Sequence, residues 1–189
     1  MPTSYYGQIS TILDIALSQN PKSILDVGIG FGKYGVLLRE ILDISNERYS
    51  KDKWEVIIDG IEGYKDYKNP IYEYVYNKVY FGFVQEVIKS LKYSYDLILM
   101  IDVLEHFNKN EGEEIIESLL QICKNLLVCT PAIPSKQTYL DNNLEEHKSL
   151  WKISDFKKYK VKKVEILPMT AFNSSIILLL EGRLNNDRL

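Results

Sequence analysis

Residues 23–35 read Ser-Ile-Leu-Asp-Val-Gly-Ile-Gly-Phe-Gly-Lys-Tyr-Gly, and this stretch decides the fold. Ser23 to Val27 is the kind of apolar run that forms a buried parallel strand. It breaks into glycines at alternate positions, Gly28, Gly30 and Gly32, with Asp26 two residues before the first. Helical spacing then begins, with Val36, Leu37, Leu38, Ile41 and Leu42 on one expected face. A strand that turns through glycines into a helix is a place where backbone meets ligand. No Cβ stands in the way, and the free N–H groups of the helix point at whatever binds. A tight turn needs one glycine, so three in register argue for a ligand. Gly30, Gly32 and Gly35 also satisfy G-x-G-x-x-G, so the loop alone leaves the ligand open.

Outward from this loop, strands and helices alternate. Upstream, Ile9, Ile12, Leu13, Ala16 and Leu17 are spaced for a helix, capped by Thr3 or Ser4 and ended by Asn20-Pro21. Downstream, Glu55 to Ile61 reads as a strand with Glu62 at its C-terminal end. Asn69-Pro70 opens a helix over 70–77, and Lys78 to Gly82 is a short strand. Val84, Val87, Ile88 and Leu91 mark the inner face of a further helix, and Tyr95 to Ile101 the next strand. A capping box of Asn110 and Glu113 predicts a helix whose stripe is Ile115, Ile116, Leu119, Leu120 and Cys123. Leu126 to Cys129 is the fifth strand. Residues 132–150 carry little periodicity. A short helix near 154–159 then precedes strands at Val161–Leu167 and Ser174–Glu181.

This alternation predicts an α/β, Rossmann-like, doubly wound sheet of seven strands, mostly parallel, closed by a C-terminal antiparallel hairpin. It is read as one domain over residues 1–182 with a frayed tail at 183–189. In such sheets ligands bind beyond the carboxyl ends of the strands, where the strand order reverses. The glycine loop, Glu62 and Asp102 should therefore gather around one crevice.

Composition narrows the function. A length of 189 residues, 46% hydrophobic, is enough for one substantial core. The net charge is −3 with no basic stripe, which argues against a nucleic-acid partner. Lys157, Lys158, Lys160, Lys162 and Lys163 alternate with Tyr159, Val161 and Val164 and read as the solvated face of an edge strand. Cys123, on the apolar face of a helix, and Cys129, in a strand, read as small buried hydrophobes. With no disulfide framework and no signal-peptide layout, a reducing cytoplasm is the expected setting. The longest apolar run, Ile176 to Leu180, is too short to span a membrane. Nothing in the pattern speaks to oligomeric state.

These residues resemble the class I S-adenosylmethionine-dependent methyltransferases that act on small molecules. Asp26-Val-Gly28-Ile-Gly30-Phe-Gly32 resembles the family's first motif, and Glu62 falls where the family places the acid that holds both ribose hydroxyls. Tyr95 to Phe107, containing Asp102-Val-Leu-Glu105-His106, is similar to its D-V-L-E-H motif. The closing hairpin fits the same fold. Asn69 to Tyr76 and Glu145-Glu-His147-Lys-Ser-Leu-Trp151 resemble a bacterial and archaeal subset with an H-x-S-x-W-like segment after strand five. The resemblance implies S-adenosylmethionine as cofactor, bound by Asp26, Gly28, Gly30, Gly32, Glu62 and Asp102, and a small-molecule acceptor. One departure stands out. Where the family often has Gly-Asp-Ala, this chain has Gly82-Phe83-Val84-Gln85. Phe83 cannot accept a hydrogen bond from the adenine amino group, so ring packing by Phe83 and backbone at Val84 are expected instead, with Gln85 nearby.

Methyl transfer to a hydroxyl or amine also calls for a base. Residues 132–151 are expected to form a lid carrying His147 to the acceptor. Its ordinary pKa suits a base near neutrality. If the lid is helical, Trp151 shares a face with His147 and lines the acceptor pocket or anchors the lid. His106 is expected to touch the acceptor. Asp102 either holds the turn after its strand or sits beside the sulfonium or the acceptor. Asp102, Glu105, His106 and His147 are also similar to the magnesium site of small-RNA ribose methyltransferases, which carry Glu at the first position; no metal is assigned from the sequence. Two other readings stay open: an NAD-dependent oxidoreductase using Gly30-x-Gly32-x-x-Gly35, and a non-catalytic module that keeps the fold and the cofactor.

Overall fold

The computed structural model describes residues 3–133 and 142–184. Seven strands form one sheet: β1 Ser23–Val27, β2 Ile57–Glu62, β3 Lys78–Phe81, β4 Tyr95–Ile101, β5 Cys123–Pro131, β6 Val161–Thr170 and β7 Asn173–Glu181. Their order is β3-β2-β1-β4-β5-β7-β6. The five central and left-hand strands run parallel, while β7 is antiparallel to both β5 and β6. The expected Rossmann-like sheet with a closing hairpin is therefore present. The chain winds outward from β1 to β3, then returns to lay β4 on the other side of β1. The crevice opens between β1 and β4, at their carboxyl ends.

Helices cover both faces of the sheet. They are α1 Ile9–Ser18, α2 Lys33–Leu42, α3 Pro70–Val75, α4 Val84–Ser90 and α5 Lys109–Leu120. One core packs α1, α2 and α3 residues such as Ile12, Leu38 and Val75 against Ile24, Ile58 and Leu97. The other packs α4 and α5 residues such as Val87, Ile116 and Leu120 against Leu25, Ile98 and Leu126. Because the central strands are buried on both faces, β4 reads as a continuous apolar run, not an alternating one.

Several boundaries differ from expectation for physical reasons. Helix α2 turns Val36 outward and buries Arg39. The Arg39 guanidinium donates to the carbonyls of Val56 and Val75, to Asn77 Oδ1 and to Asp43, and lies 4.1 Å from the centre of the Trp54 ring. A buried charge so fully paired is tolerated where an unpaired one is not. Helix α5 begins two residues before the expected box: the Asn108 N–H donates to Glu111, leaving Asn110 and Glu113 inside the helix. Cys123 opens β5 and does not close α5, because parallel pairing with Tyr95 of β4 starts the strand there, while antiparallel pairing with β7 carries its other end to Pro131. Near residues 154–159 there is only a 3₁₀ turn, Ile153–Phe156. Arg183, expected in a loose tail, donates its N–H to Leu120 O and pairs with Glu117; residues 185–189 lie outside the described residues. Among the described residues no helix is long and apolar enough to cross a membrane.

The largest departure concerns the N-terminus. Thr3 and Ser4 do not cap α1. A 3₁₀ turn, Tyr6–Gln8, precedes the helix, and residues 3–6 run along the cavity described next.

Candidate active site

A cavity of about 770 Å³ lies beyond the carboxyl ends of the parallel strands. It is lined by the glycine loop, Glu62, Asp102, residues 83–85, residues 105–107, part of segment 142–148 and the N-terminal residues 3–6. Elements far apart in sequence meet here because every one of them follows a strand end or crosses one.

The glycine loop has the backbone the motif demands. Gly28, Gly30 and Gly32 have φ of 73°, 53° and 87°. L side chains rarely adopt such values. At Gly28 a Cβ would also come within 2.5 Å of Val103 Cγ2, so the loop after β1 and the turn after β4 touch through that glycine. Behind the loop, Asp26 is buried and accepts a hydrogen bond from Tyr76 Oη at 2.8 Å. Burial pushes its carboxyl up to about 6, against the lowering effect of that bond. Tyr72 Oη donates to the Gly30 carbonyl, fixing the outer turn of the loop.

Glu62 ends β2 and faces the cavity. Its Oε2 accepts from Gly30 N at 2.9 Å and its Oε1 from Tyr64 N at 2.8 Å. Burial raises its pKa to about 7; the two N–H donors pull it down, while Glu145 and Asp26 add to the rise.

Asp102 follows β4 in the left-handed region, φ 53°. Gln8 Nε2 donates to its Oδ2 at 2.6 Å. The orientation of Gln8 is fixed from the other side, where its carbonyl accepts from Ser175 Oγ and Cys129 Sγ. Asp102 Oδ1 and Gln85 Oε1 are buried on the cavity wall with no hydrogen-bond partner among the described residues. Both oxygens suit a bound donor. Lys33, the first residue of α2, also lines the cavity. Its Nζ donates to Ser4 O at 2.6 Å and Ser4 Oγ at 3.0 Å. Burial lowers its pKa while the charge of Asp102 raises it again.

The opposite wall carries the acid–base groups. Glu105 is 1% exposed, and its carboxyl accepts from Thr130 Oγ1 at 3.1 Å. Burial and the nearby Asp102 charge hold its pKa well above the usual carboxylate range. His106 and His147 lie with ring centres 4.9 Å apart. His106 Nδ1 is 3.2 Å from the Glu146 carbonyl. A carbonyl only accepts, so Nδ1 carries the proton and Nε2 keeps its lone pair in the neutral ring. Burial lowers the His106 pKa and favours that neutral form. One ligand atom each of Glu105, His106 and His147 falls within 4.8 Å of the others; Asp102, included in the expected set, is not part of this cluster.

Residues of segment 142–148 line the cavity, and segment 142–151 forms no α-helix. The Glu105 carbonyl accepts from Lys148 N and Ser149 N at 2.8 and 3.1 Å. Tyr67 Oη donates to Glu145 Oε1 at 2.9 Å and accepts from Asn142 Nδ2 at 3.0 Å. Residues 134–141, which belong to the expected lid, lie outside the described residues. Without a helix, His147 and Trp151 do not share a face. His147 reaches the cavity; Trp151 is fully buried in the core against Gly112 and Phe156, off the cavity wall, with the Lys109 ammonium 3.9 Å above its ring. Phe83 stands half exposed at the cavity edge and Val84 is buried beside it.

Gln8, Lys33 and Tyr67 join the site although the sequence pattern assigns them no role there. Gln8 sits in an amphipathic helix start and carried no local signal. Lys33 did have one: it stands inside the glycine motif, at the mouth of the helix.

Neither a family model nor a curated protein sequence matches this chain. Solved structures share its fold. The N-terminal domain of EvdMO1, crystallised in the presence of SAH and D-fucose, is 13% identical over 96% of this chain and 85% of that one, with a TM-score of 0.62. Magnesium protoporphyrin IX methyltransferase from Synechocystis PCC 6803, with bound SAH, is 14% identical over 93% of this chain and 81% of its own, TM-score 0.62. The methyltransferase domain of a bacterial Hen1, CtHen1-CN, is 16% identical and covers 92% and 97%, TM-score 0.56. The chain thus has the seven-stranded, Rossmann-like fold of class I methyltransferases.

Proposed function

We propose that this protein transfers a methyl group from S-adenosylmethionine to a small-molecule acceptor that carries a hydroxyl or an amine. One observation carries the reading. The left-handed glycine loop, Glu62 and Asp102 converge on a single cavity at the reversal point of a sheet ordered β3-β2-β1-β4-β5-β7-β6. The unpartnered Asp102 Oδ1 and Gln85 Oε1 support a ligand that brings hydrogen-bond donors to that cavity. The oxidoreductase reading has less support. A dinucleotide fold continues with a parallel sixth strand, whereas here the antiparallel β7 lies beside β5.

When bound, the cofactor supplies a methyl group already activated on a cationic sulfur. The chain has then to hold the partners in line, exclude water and remove a proton. Glu62 offers carboxylate oxygens to vicinal ribose hydroxyls, and the glycine loop lets the ligand lie against backbone. Phe83 and Val84 offer an apolar edge for the adenine ring, with Gln85 Oε1 as an acceptor near it. Asp102 faces the amino-acid and sulfonium end. Segment 142–148 closes the outer side, and His147 accepts the acceptor's proton at a ring nitrogen while His106 contacts the acceptor. Trp151 contributes by fixing the segment's C-terminal end in the core, not by touching the acceptor. Calorimetric titration with S-adenosylhomocysteine tests the reading. Saturable binding is expected, and the absence of both binding and a thermal shift would overturn it.

The juxtaposition of Glu105, His106 and His147 favours a second form of the same reading, in which the acceptor group is a hydroxyl. These three residues would hold a divalent cation, whose charge would help that hydroxyl lose its proton. A cation there would offset the burial that holds the Glu105 pKa above the usual carboxylate range. Metal analysis of protein purified without chelator, with and without His147→Ala, decides between the two forms.

A further inference from the structure

We propose that Lys33 binds the carboxylate of an α-amino-acid group at the β1–β4 crevice, and that the N-terminal residues Thr3–Tyr6 are drawn over that group through the same ammonium. The inference rests on the proposed cofactor reading and deepens it.

A zwitterionic amino-acid group needs two opposite partners a few ångströms apart. The crevice carries both signs of charge: Lys33 and Asp102 line the same cavity, and the charge of Asp102 acts on the Lys33 ammonium. Asp102 turns one oxygen to Gln8 at 2.6 Å and leaves Oδ1 buried without a partner among the described residues, an acceptor for an ammonium. Lys33 supplies the cation. It stands at the first position of the ten-residue α2, where the free N–H groups of the helix add their own partial positive charge. Its Nζ spends its donors on Ser4 O and Ser4 Oγ, two acceptors of a short segment that joins the cavity wall. An ammonium has three donors, so it can meet a carboxylate oxygen and keep a bond to Ser4. Gln8, with no exposed surface, ties the far end of the segment to Asp102, Cys129 and Ser175. Residues 3–8 are thus pinned at both ends, and the amino-acid group would lie under the span.

The test compares two ligands on the full chain. S-adenosylhomocysteine carries the amino-acid group; 5′-methylthioadenosine has the same nucleoside and sulfur without it. The wild-type protein is expected to prefer S-adenosylhomocysteine. Lys33→Met is expected to lose about tenfold to a hundredfold in affinity for S-adenosylhomocysteine, the ratio for one charge-assisted hydrogen bond, and nothing for 5′-methylthioadenosine. Lys33→Arg, which keeps the charge, should restore most of the loss. Binding of S-adenosylhomocysteine should also slow chymotryptic cleavage at Tyr5 and Tyr6 in the wild type but not in Lys33→Met. Equal wild-type affinity for the two ligands would overturn the Lys33 assignment while leaving the cofactor reading intact. Equal losses for both ligands in Lys33→Met would overturn it as well. If the wild type binds neither ligand, the cofactor reading itself fails. Unchanged cleavage in every case would remove the strap and leave the carboxylate site.

Discussion

The two walls of the cavity are built in different ways. The β1–β2 wall, made of the glycine loop and Glu62, is shaped by local backbone: three glycines at positive φ, a strand end and a helix mouth within a dozen residues. The opposite wall, made of Glu105, His106 and segment 142–151, has almost no regular structure. It is held by bonds between residues far apart in sequence, such as Lys148 N to Glu105 O and Tyr67 Oη to Glu145. Both walls present acids and hydrogen-bonding groups. The first takes its shape from one short stretch, which Glu62, Tyr72 and Tyr76 brace from farther along the chain; the second depends on the packing of the whole domain, and substitutions should separate the two.

The largest effect is expected where the irregular wall meets the core. Trp151→Ala removes a fully buried ring packed on Gly112 and Phe156. It should destabilise the fold by about 3–5 kcal/mol, read as a shift in the denaturant midpoint. A loss of acceptor turnover with unchanged stability would instead return Trp151 to the acceptor pocket.

Next comes the regular wall. Glu62→Ala should weaken S-adenosylhomocysteine binding by roughly 1.5–3 kcal/mol, the range for hydrogen bonds to a charged group. It also strips the Gly30 and Tyr64 N–H groups of their acceptor, so a modest loss of stability should accompany it. If the variant stays folded and binds as tightly as the parent, the ribose role is wrong.

A pH titration sharpens the same wall. In the free protein Glu62 ionises at about 7, and Asp26 behind it at about 6. Hydroxyl donors on a ligand favour the ionised carboxylate and lower its pKa. Binding therefore releases a proton near neutrality, and affinity should fall as pH drops through about 7, by up to tenfold per unit. Glu62→Gln should flatten the dependence near 7. A profile that is flat from pH 5.5 to 8 in the parent would contradict the assignment.

The smallest effect is expected from the latch between the walls. Tyr67→Phe removes one donor to Glu145 and one acceptor for Asn142. A single such bond is worth about 0.5–1.5 kcal/mol. Hydrogen exchange should quicken at residues 142–149 and stay unchanged in β1 and α2. Uniform exchange changes would mean that the segment is not a separate unit.

The legibility of the molecule follows the same division. The sheet, its hairpin and the glycine loop could be read because their causes are local. Continuous apolar runs make buried strands, and glycine in register makes a left-handed loop. The Asn69 cap behaved as read, its side chain accepting from Ile71 N. The capping box was displaced because Asn108 and Glu111 form an equally good pair one half-turn earlier. The apolar spacing predicts Val36 inward, whereas α2 buries Arg39, whose partners Val56, Val75 and Asn77 come together only on folding. The same reason hid Gln8 and Tyr67.

By itself the sequence determined the α/β alternation, the place of the ligand loop and the acids at the strand ends, since backbone conformation and hydrophobic periodicity act over a few residues. Only the tertiary structure decided that His147 faces the cavity while Trp151, four residues on, enters the core. That separation depends on an irregular segment whose hydrogen bonds go to Glu105 and Tyr67, dozens of residues away, and no local propensity can specify a conformation whose partners lie elsewhere in the chain.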